Sequence, residues 1–277
     1  RTRMTPTVSV DKLVLEYKDV PLSVFYRFFM RVLLQKYKVR WRVYRKLYCY
    51  QFHIRMGKGE YLHVFYKNFR EKEGFLHTLR LETRPEYYER LSEIWEWLRQ
   101  KASRVEFVSC DIAYDVPFSL ENVVVMSRDI RRSLHLYKTT RYFGVPHQRK
   151  QNGYCRVYDK KQELWDRHGI QMEGELTRIE IVYKPAENIE LTHIRDCPPE
   201  QNKQYYAAVI TDWAAMKPKK AEQIRNIQNG TNLYTRYIRE GVKKELASQY
   251  VLDFNGLARK EWERILEPVY TAVLGVA

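Results

Sequence analysis

The chain has 277 residues, with 49 Lys and Arg against 34 Asp and Glu, a net charge of +15 and a pI near 9.5. Hydrophobic residues at 44% with only 11 Gly and 10 Pro exclude a disordered or collagen-like chain, and the positive excess asks for a polyanionic partner. No stretch approaches the roughly 20 uninterrupted apolar residues of a spanning helix; the most apolar run, Val24 to Leu34, is broken by Arg27 and Arg31. Membrane insertion and secretion are therefore not expected. The four cysteines, Cys49, Cys110, Cys155 and Cys197, form no CxxC pair, so neither a zinc knuckle nor a disulfide framework is indicated and reduced, intracellular thiols are expected.

In chain order, Asp11 to Lys18 alternates as a half-buried strand, and Pro21 opens a helix with Leu22, Phe25, Phe29 and Val32/Leu33 on its apolar face. Period two returns from Val39 to Arg55; Gly57-Lys58-Gly59 then turns the chain into Tyr61 to Lys67, a hairpin. Phe75 to Thr83 reads as a strand, and Glu86 to Ala102 as an amphipathic helix with Tyr87, Leu91, Ile94/Trp95 and Leu98 inward. Next come strand Arg104 to Val116, helical material over Leu120 to Tyr137, and strands Thr139 to Gly144, Gly153 to Asp159 and Glu175 to Lys184. Hairpins inside two strand-rich halves predict an α+β fold with a largely antiparallel sheet and packed helices. Cys197-Pro198-Pro199 suggests a boundary, dividing a domain at 1–199 from a helical C-terminal region at 200–277 in which nothing reads as strand. Within that region Lys219 to Gln228, the Asn229-Gly230 break and Thr231 to Lys244 weakly resemble a helix-turn-helix. Neither GxGxxG nor GxxxxGK[ST] occurs, which removes the main support for nucleotide-hydrolase readings.

Between Arg27 and Lys46 lie eight basic residues and no acidic one, among them Arg40, Arg42, Arg45 and Lys46, interleaved with aromatic rings. Such a run suits phosphates and bases, or is an ordinary solvated face. In Gly153 to Asp159 a strand puts Tyr154, Arg156 and Tyr158 on one face. A phenol has an ordinary pKa near 10 and needs cationic or basic neighbours to act as a nucleophile; Arg156, Lys160 and Lys161 supply them, although paired tyrosines in a strand more often pack. Asp111 and Asp115 share one face of their strand, and Glu180 shares a face with Arg178. Buried carboxylates are paired or bind metal, so these three form either a hard-oxygen site for Mg²⁺ or Mn²⁺ or a salt-bridge network with Arg156 and Arg178. The seven histidines include no His-hydrophobic-His pair. His77-Thr78-Leu79-Arg80 matches the HxxR spacing of tyrosine recombinases but has no suitably placed downstream tyrosine.

Tyr142-Phe143-Gly144 followed by Tyr154-Cys155-Arg156-Val157-Tyr158-Asp159-Lys160-Lys161-Gln162-Glu163 resembles the YFG…YxRxYDKxxE signature of Rep_trans-type plasmid rolling-circle replication initiators, relatives of conjugative-element relaxases and filamentous-phage replication proteins. Asp111 to Asp115 is similar to the family's preceding acidic strand and Arg178-Ile179-Glu180-Ile181 to its following RxEI strand. The resemblance covers about Val105 to Lys184; it departs at Val145 to Asn152, where the family commonly has Ser-Arg-Lys-Ser, although Arg149 and Lys150 keep the loop basic.

The resemblance implies a modified nicking-enzyme (relaxase-like) sheet and a cytoplasmic homodimer in a bacterial host. Such a protein melts plasmid origin DNA, nicks one strand and recruits a host replicative helicase of superfamily 1. It implies Tyr158 as nucleophile with Tyr154 as the alternative, and a divalent ion (Mg²⁺ or Mn²⁺) on Asp111, Asp115 and Glu180. Arg156, Arg178 and Lys160 become phosphate partners. Origin reading then falls to the C-terminal region, with Arg225, Arg236 and Arg239 as candidates. A non-catalytic DNA-binding regulator, or a single-stranded RNA binder, would share the charge and aromatic content.

Overall fold

The computed structural model describes residues 5–41, 47–71, 73–231 and 235–276. The strands are β1 Thr7–Pro21, β2 Lys38–Trp41, β3 Tyr48–Gly57, β4 Glu60–Asn68, β5 Leu76–Thr83, β6 Arg104–Val116 and β7 Val123–Ser127. They continue as β8 Leu134–Tyr137, β9 Thr140–Phe143, β10 Cys155–Asp159, β11 Thr177–Tyr183, β12 Ile189–Glu190, β13 Tyr205–Val209 and β14 Tyr250–Val251. The helices are α1 Leu22–Phe28, α2 Leu34–Lys36, α3 Ser92–Lys101, α4 Lys160–His168, α5 Pro218–Gln228, α6 Arg236–Leu246 and α7 Phe254–Val269. This is the expected α+β class, and the hairpins β3-β4, β4-β5, β8-β9 and β9-β10 all pair antiparallel. No helix among the described residues is long and apolar enough to cross a membrane.

The chain divides into two compact units, each drawn from several segments; one break falls between Pro198 and Pro199, beside the boundary expected at 199, and others fall where none was expected. One unit comprises Val10–Asp111, Lys184–Pro198 and Glu261–Ala277; the other, here the motif unit, comprises Ile112–Tyr183 and Pro199–Lys260 with the first residues up to Ser9. The last 78 positions are thus shared between units because Pro198-Pro199 interrupts hydrogen bonding locally but does not decide which core the following chain joins.

In the first unit the strand order is β2-β3-β4-β5-β1-β6. α1 packs on it through Phe25, whose ring stacks on Tyr66 with centroids 4.1 Å apart. Trp95 on α3 buries against Tyr88 and donates from its indole to the Tyr88 carbonyl at 2.9 Å. A 3-10 turn over Pro85–Leu91 stands where a regular helix start was expected, since Pro85 opens the turn and no side chain caps it.

In the motif unit the order is β6-β11-β10-β9-β8, and a separate three-stranded sheet runs β14-β13-β7. Both β7 and β13 correct the sequence reading, which expected helix over Leu120 to Tyr137 and no strand beyond 199. All five residues of β7 are buried, as are four of the five in β13. A strand covered on both faces loses the alternation that identifies strands, and only its β-branched valines remain as a signal. α5 and α6 cover this sheet through Ile224, Ile227, Val242 and Leu246, which meet Val124, Met126, Ala208 and Ile210.

Candidate functional site

The motif unit concentrates polar chemistry on one face of its larger sheet. Strand β10 places Cys155 and Val157 in the core and turns Arg156 and Tyr158 to the opposite face. Across the ladder Arg156 sits opposite Tyr142 of β9 on one side and Glu180 of β11 on the other, while Tyr158 sits opposite Arg178. The row ends at His135 of β8, opposite Tyr142 and 2.8 Å from the Ser133 hydroxyl.

Glu180 is the hub. Its Oε1 accepts from Arg156 Nε at 2.9 Å and lies 2.8 Å from Arg156 Nη2, and its Oε2 accepts from the Tyr158 hydroxyl at 3.4 Å. The Arg156 guanidinium lies 5.2 Å from the Tyr158 ring centroid, a cation–π contact. Arg178 forks onto Asp115, Nε to Oδ1 at 2.7 Å and Nη2 to Oδ2 at 2.8 Å. Planar guanidinium against carboxylate is the geometry that compensates most for desolvation.

The two candidate nucleophiles, Tyr154 and Tyr158, are 7% and 8% exposed. Burial raises the Tyr154 phenol above its ordinary value, and Arg149, hydrogen-bonded to it, works in the opposite direction. Of Tyr142, Tyr154 and Tyr158, Tyr142 is the most open, half-buried where the other two are buried, and sequence reasoning treated it only as part of the YFG element. Its signal was the same alternation that singled out Tyr154 and Tyr158.

The motif's remaining residues have structural work. Asp159 caps α4, accepting from Gln162 N–H at 3.0 Å, and Lys160 pairs with Glu163 at 2.6 Å, one turn on. Lys160 is thereby held by Glu163. Gly144 has φ of +117°, and a Cβ there would lie 2.8 Å from Cδ2 of the Tyr154 ring. Gly144→Ala is expected to displace that ring and cost roughly 1–3 kcal/mol, read as a lowered melting temperature; an unchanged melting temperature would show that the loop absorbs the Cβ.

Arg141 is 7% exposed, and its guanidinium donates to the carbonyls of Val123 at 2.6 Å and Leu120 at 2.8 Å. Burial without an acidic partner in that hydrogen-bond pair pushes its pKa down to about 10. It clamps the segment entering β7 to β9 of the site's sheet.

The expected trio of metal ligands does not assemble. Asp111 lies in the other unit, where its charge helps to raise the Tyr61 phenol and the Cys110 thiol, both pushed up mainly by burial. Asp115 and Glu180 are each engaged by a guanidinium, and no group of three or more His, Cys, Asp and Glu among the described residues could hold a metal ion. The donor set as arranged does not fit a divalent cation. Of the two alternatives open to the carboxylates, the arrangement is the salt-bridge network, because both arginines face the carboxylates from neighbouring strands.

The candidate DNA contacts scatter. Arg40 is exposed on β2 in the first unit; Arg42, Arg45 and Lys46 lie outside the described residues. Arg149 and Lys150 are exposed in the loop beside Tyr154. Arg225 on α5 lies 4.7 Å over the Trp213 ring, Arg236 is exposed at the start of α6, and Arg239 donates to the Ser127 carbonyl at 2.5 Å. No disulfide joins the four cysteines, and burial raises the Cys110 and Cys155 thiols well above the ordinary value.

No family model and no curated protein matches the chain. Among solved structures it is similar to a rolling circle replication initiator protein from Geobacillus stearothermophilus, at 14% identity and a TM-score of 0.41, covering 88% of this chain and 98% of that one.

Proposed function

We propose that this protein initiates rolling-circle replication of a plasmid by nicking one strand of its double-strand origin through a tyrosine. The observation that carries the reading is the Tyr158–Glu180–Arg156 arrangement: a phenol donating to a carboxylate that also holds a guanidinium. In the proposed step the Tyr158 oxygen attacks the scissile phosphorus and its proton passes to Glu180 Oε2. The P–O3′ bond breaks, the 3′ oxygen leaves and takes up a proton, and the 5′ phosphate stays on the tyrosine. Protonation neutralises Glu180 and loosens its hold on Arg156, whose charge then serves the phosphate. Closure is the reverse: the 3′-OH attacks the phosphotyrosine, and one ester replaces another without ATP. Tyr154, on the same face, is the alternative nucleophile.

From the family resemblance come the further parts of the proposal: a homodimer acting in the cytoplasm of a bacterial host, with a superfamily 1 helicase as partner and origin reading in the C-terminal region. To hold a divalent ion, Asp115 and Glu180 would have to leave Arg178 and Arg156.

The test is a covalent-adduct assay on labelled single-stranded oligonucleotides tiling the DNA around the gene, with Mg²⁺, Mn²⁺ or EDTA, followed by peptide mapping. An adduct mapping to Tyr158 or Tyr154 supports the proposal. Loss of the adduct in EDTA would mean that the carboxylates exchange arginine for metal. A second reading, a DNA-binding regulator without catalysis, is favoured by the burial of both tyrosines and the ion-paired carboxylates; tight duplex binding with no adduct on any tile would establish it.

A further inference from the structure

A cleft of about 330 Å³ opens in the motif unit between the start of α6 and the ends of β7 and β13. Arg128, Arg236, Arg239 and Lys243 line it with Tyr206, and Glu240 is the one carboxylate among its lining residues. Its size is at the lower end of ligand pockets, which run from roughly 300 to 1,000 Å³.

Three features of this cleft are unfavourable unless an anion is present. Four cations share it with one carboxylate. Arg236 and Arg239 occupy the first turn of α6, where the helix dipole is positive and no acidic residue compensates. Arg239 is half-buried, tied to the Ser127 carbonyl at 2.5 Å, and its pKa is lowered by that burial. The anchoring of the other cations is also informative. The Arg128 guanidinium and the Lys243 ammonium each lie 5.6 Å from the Tyr206 ring centroid. An aromatic ring positions cationic heads without cancelling their charge, whereas a carboxylate would cancel it. Tyr206 is itself fixed: it pairs with Met126 in the β7-β13 ladder and packs against the buried cluster beneath α5 and α6.

We propose that this cleft binds a backbone phosphate of DNA, separate from the one attacked by tyrosine, through Arg128, Arg236 and Lys243. Tyr206 and Arg239 are positioning residues, the first for the two cationic heads and the second for the start of α6 against β7. The proposal rests on the reading of the protein as a DNA-binding initiator but requires only DNA binding, not nicking.

The experiment is fluorescence anisotropy of the full chain with labelled DNA between about 50 and 200 mM salt. Arg128→Gln/Lys243→Gln is expected to weaken binding about equally for all sequences and to reduce the slope of log K against log salt by about one. Tyr206→Leu weakens binding and Tyr206→Phe restores it, because only the ring is needed. Arg259→Gln/Lys260→Gln, an equal charge change on α7 outside the cleft, leaves the slope at the wild-type value. The proposal is overturned if the cleft double variant keeps the wild-type slope, if Arg259→Gln/Lys260→Gln lowers it as much, or if the wild type binds no DNA at low salt. A wild type that shows the slope effect but forms no adduct would keep this cleft and remove the nicking mechanism.

Discussion

Replacing Tyr158 by phenylalanine is expected to slow formation of the covalent DNA adduct roughly a thousandfold or more while duplex binding persists. The substitution removes one oxygen and the 3.4 Å contact to Glu180 but keeps the ring under the Arg156 guanidinium, so the fold loses at most about 1 kcal/mol. Glu180→Gln tests the same chemistry from the acceptor's side: the amide keeps the shape but is a poor base, and a lost general base costs roughly 10²–10⁴ in rate. Stability distinguishes the two roles of Glu180, because a purely structural glutamate would change the melting temperature and leave the adduct rate per folded molecule unchanged. Full adduct formation by Tyr158→Phe would transfer the nucleophile to Tyr154 or to the more open Tyr142, which single Tyr→Phe variants and peptide mapping resolve. If all three single variants nick normally, the tyrosine scheme fails.

The second large effect concerns stability. Asp115→Asn is expected to destabilise the motif unit by roughly 3–5 kcal/mol, since it leaves the Arg178 guanidinium, whose side chain is 9% exposed, without its forked carboxylate. At about 2–4 °C per kcal/mol for a unit of this size, the melting temperature should fall by roughly 6 °C or more. Replacing both partners, Asp115→Leu with Arg178→Met, is expected to recover most of that loss, because an apolar pair carries no desolvation penalty. A loss below about 1 kcal/mol for Asp115→Asn would mean that water screens the pair. In that case Asp115 would be free to take part in other chemistry, metal binding included.

Much of the site was legible before folding was considered. Tyr154, Arg156 and Tyr158 share a face because strand periodicity is a local property, needing only that the segment be extended. The Asp159 cap of α4 and the Lys160–Glu163 pair are equally local, but the sequence reading expected no helix there and took the stretch only as part of the motif. Gly144 was visible as part of YFG, but its reason, the Tyr154 ring against its α-carbon, was not, since ten residues separate the two. The strands β7 and β13 escaped detection because burial on both faces erases alternation. Arg141, inside an expected strand, drew no separate expectation, and only the fold shows it as a buried clamp on two carbonyls.

By itself the sequence determined the basic charge, the α+β class, the antiparallel hairpins and the set of side chains on one face of β10, all of which follow from composition or from spacings of a few residues. Only the tertiary structure decided which charge neutralises which. Arg178 meets Asp115 across 63 positions and Arg156 meets Glu180 across 24, while Asp111, on the same strand as Asp115, falls on the other side of the division between the units. The physical reason is the range of the forces involved. Hydrophobic periodicity acts along a few residues of chain, whereas a buried carboxylate takes as its partner whichever cation the strand register brings within about 3 Å.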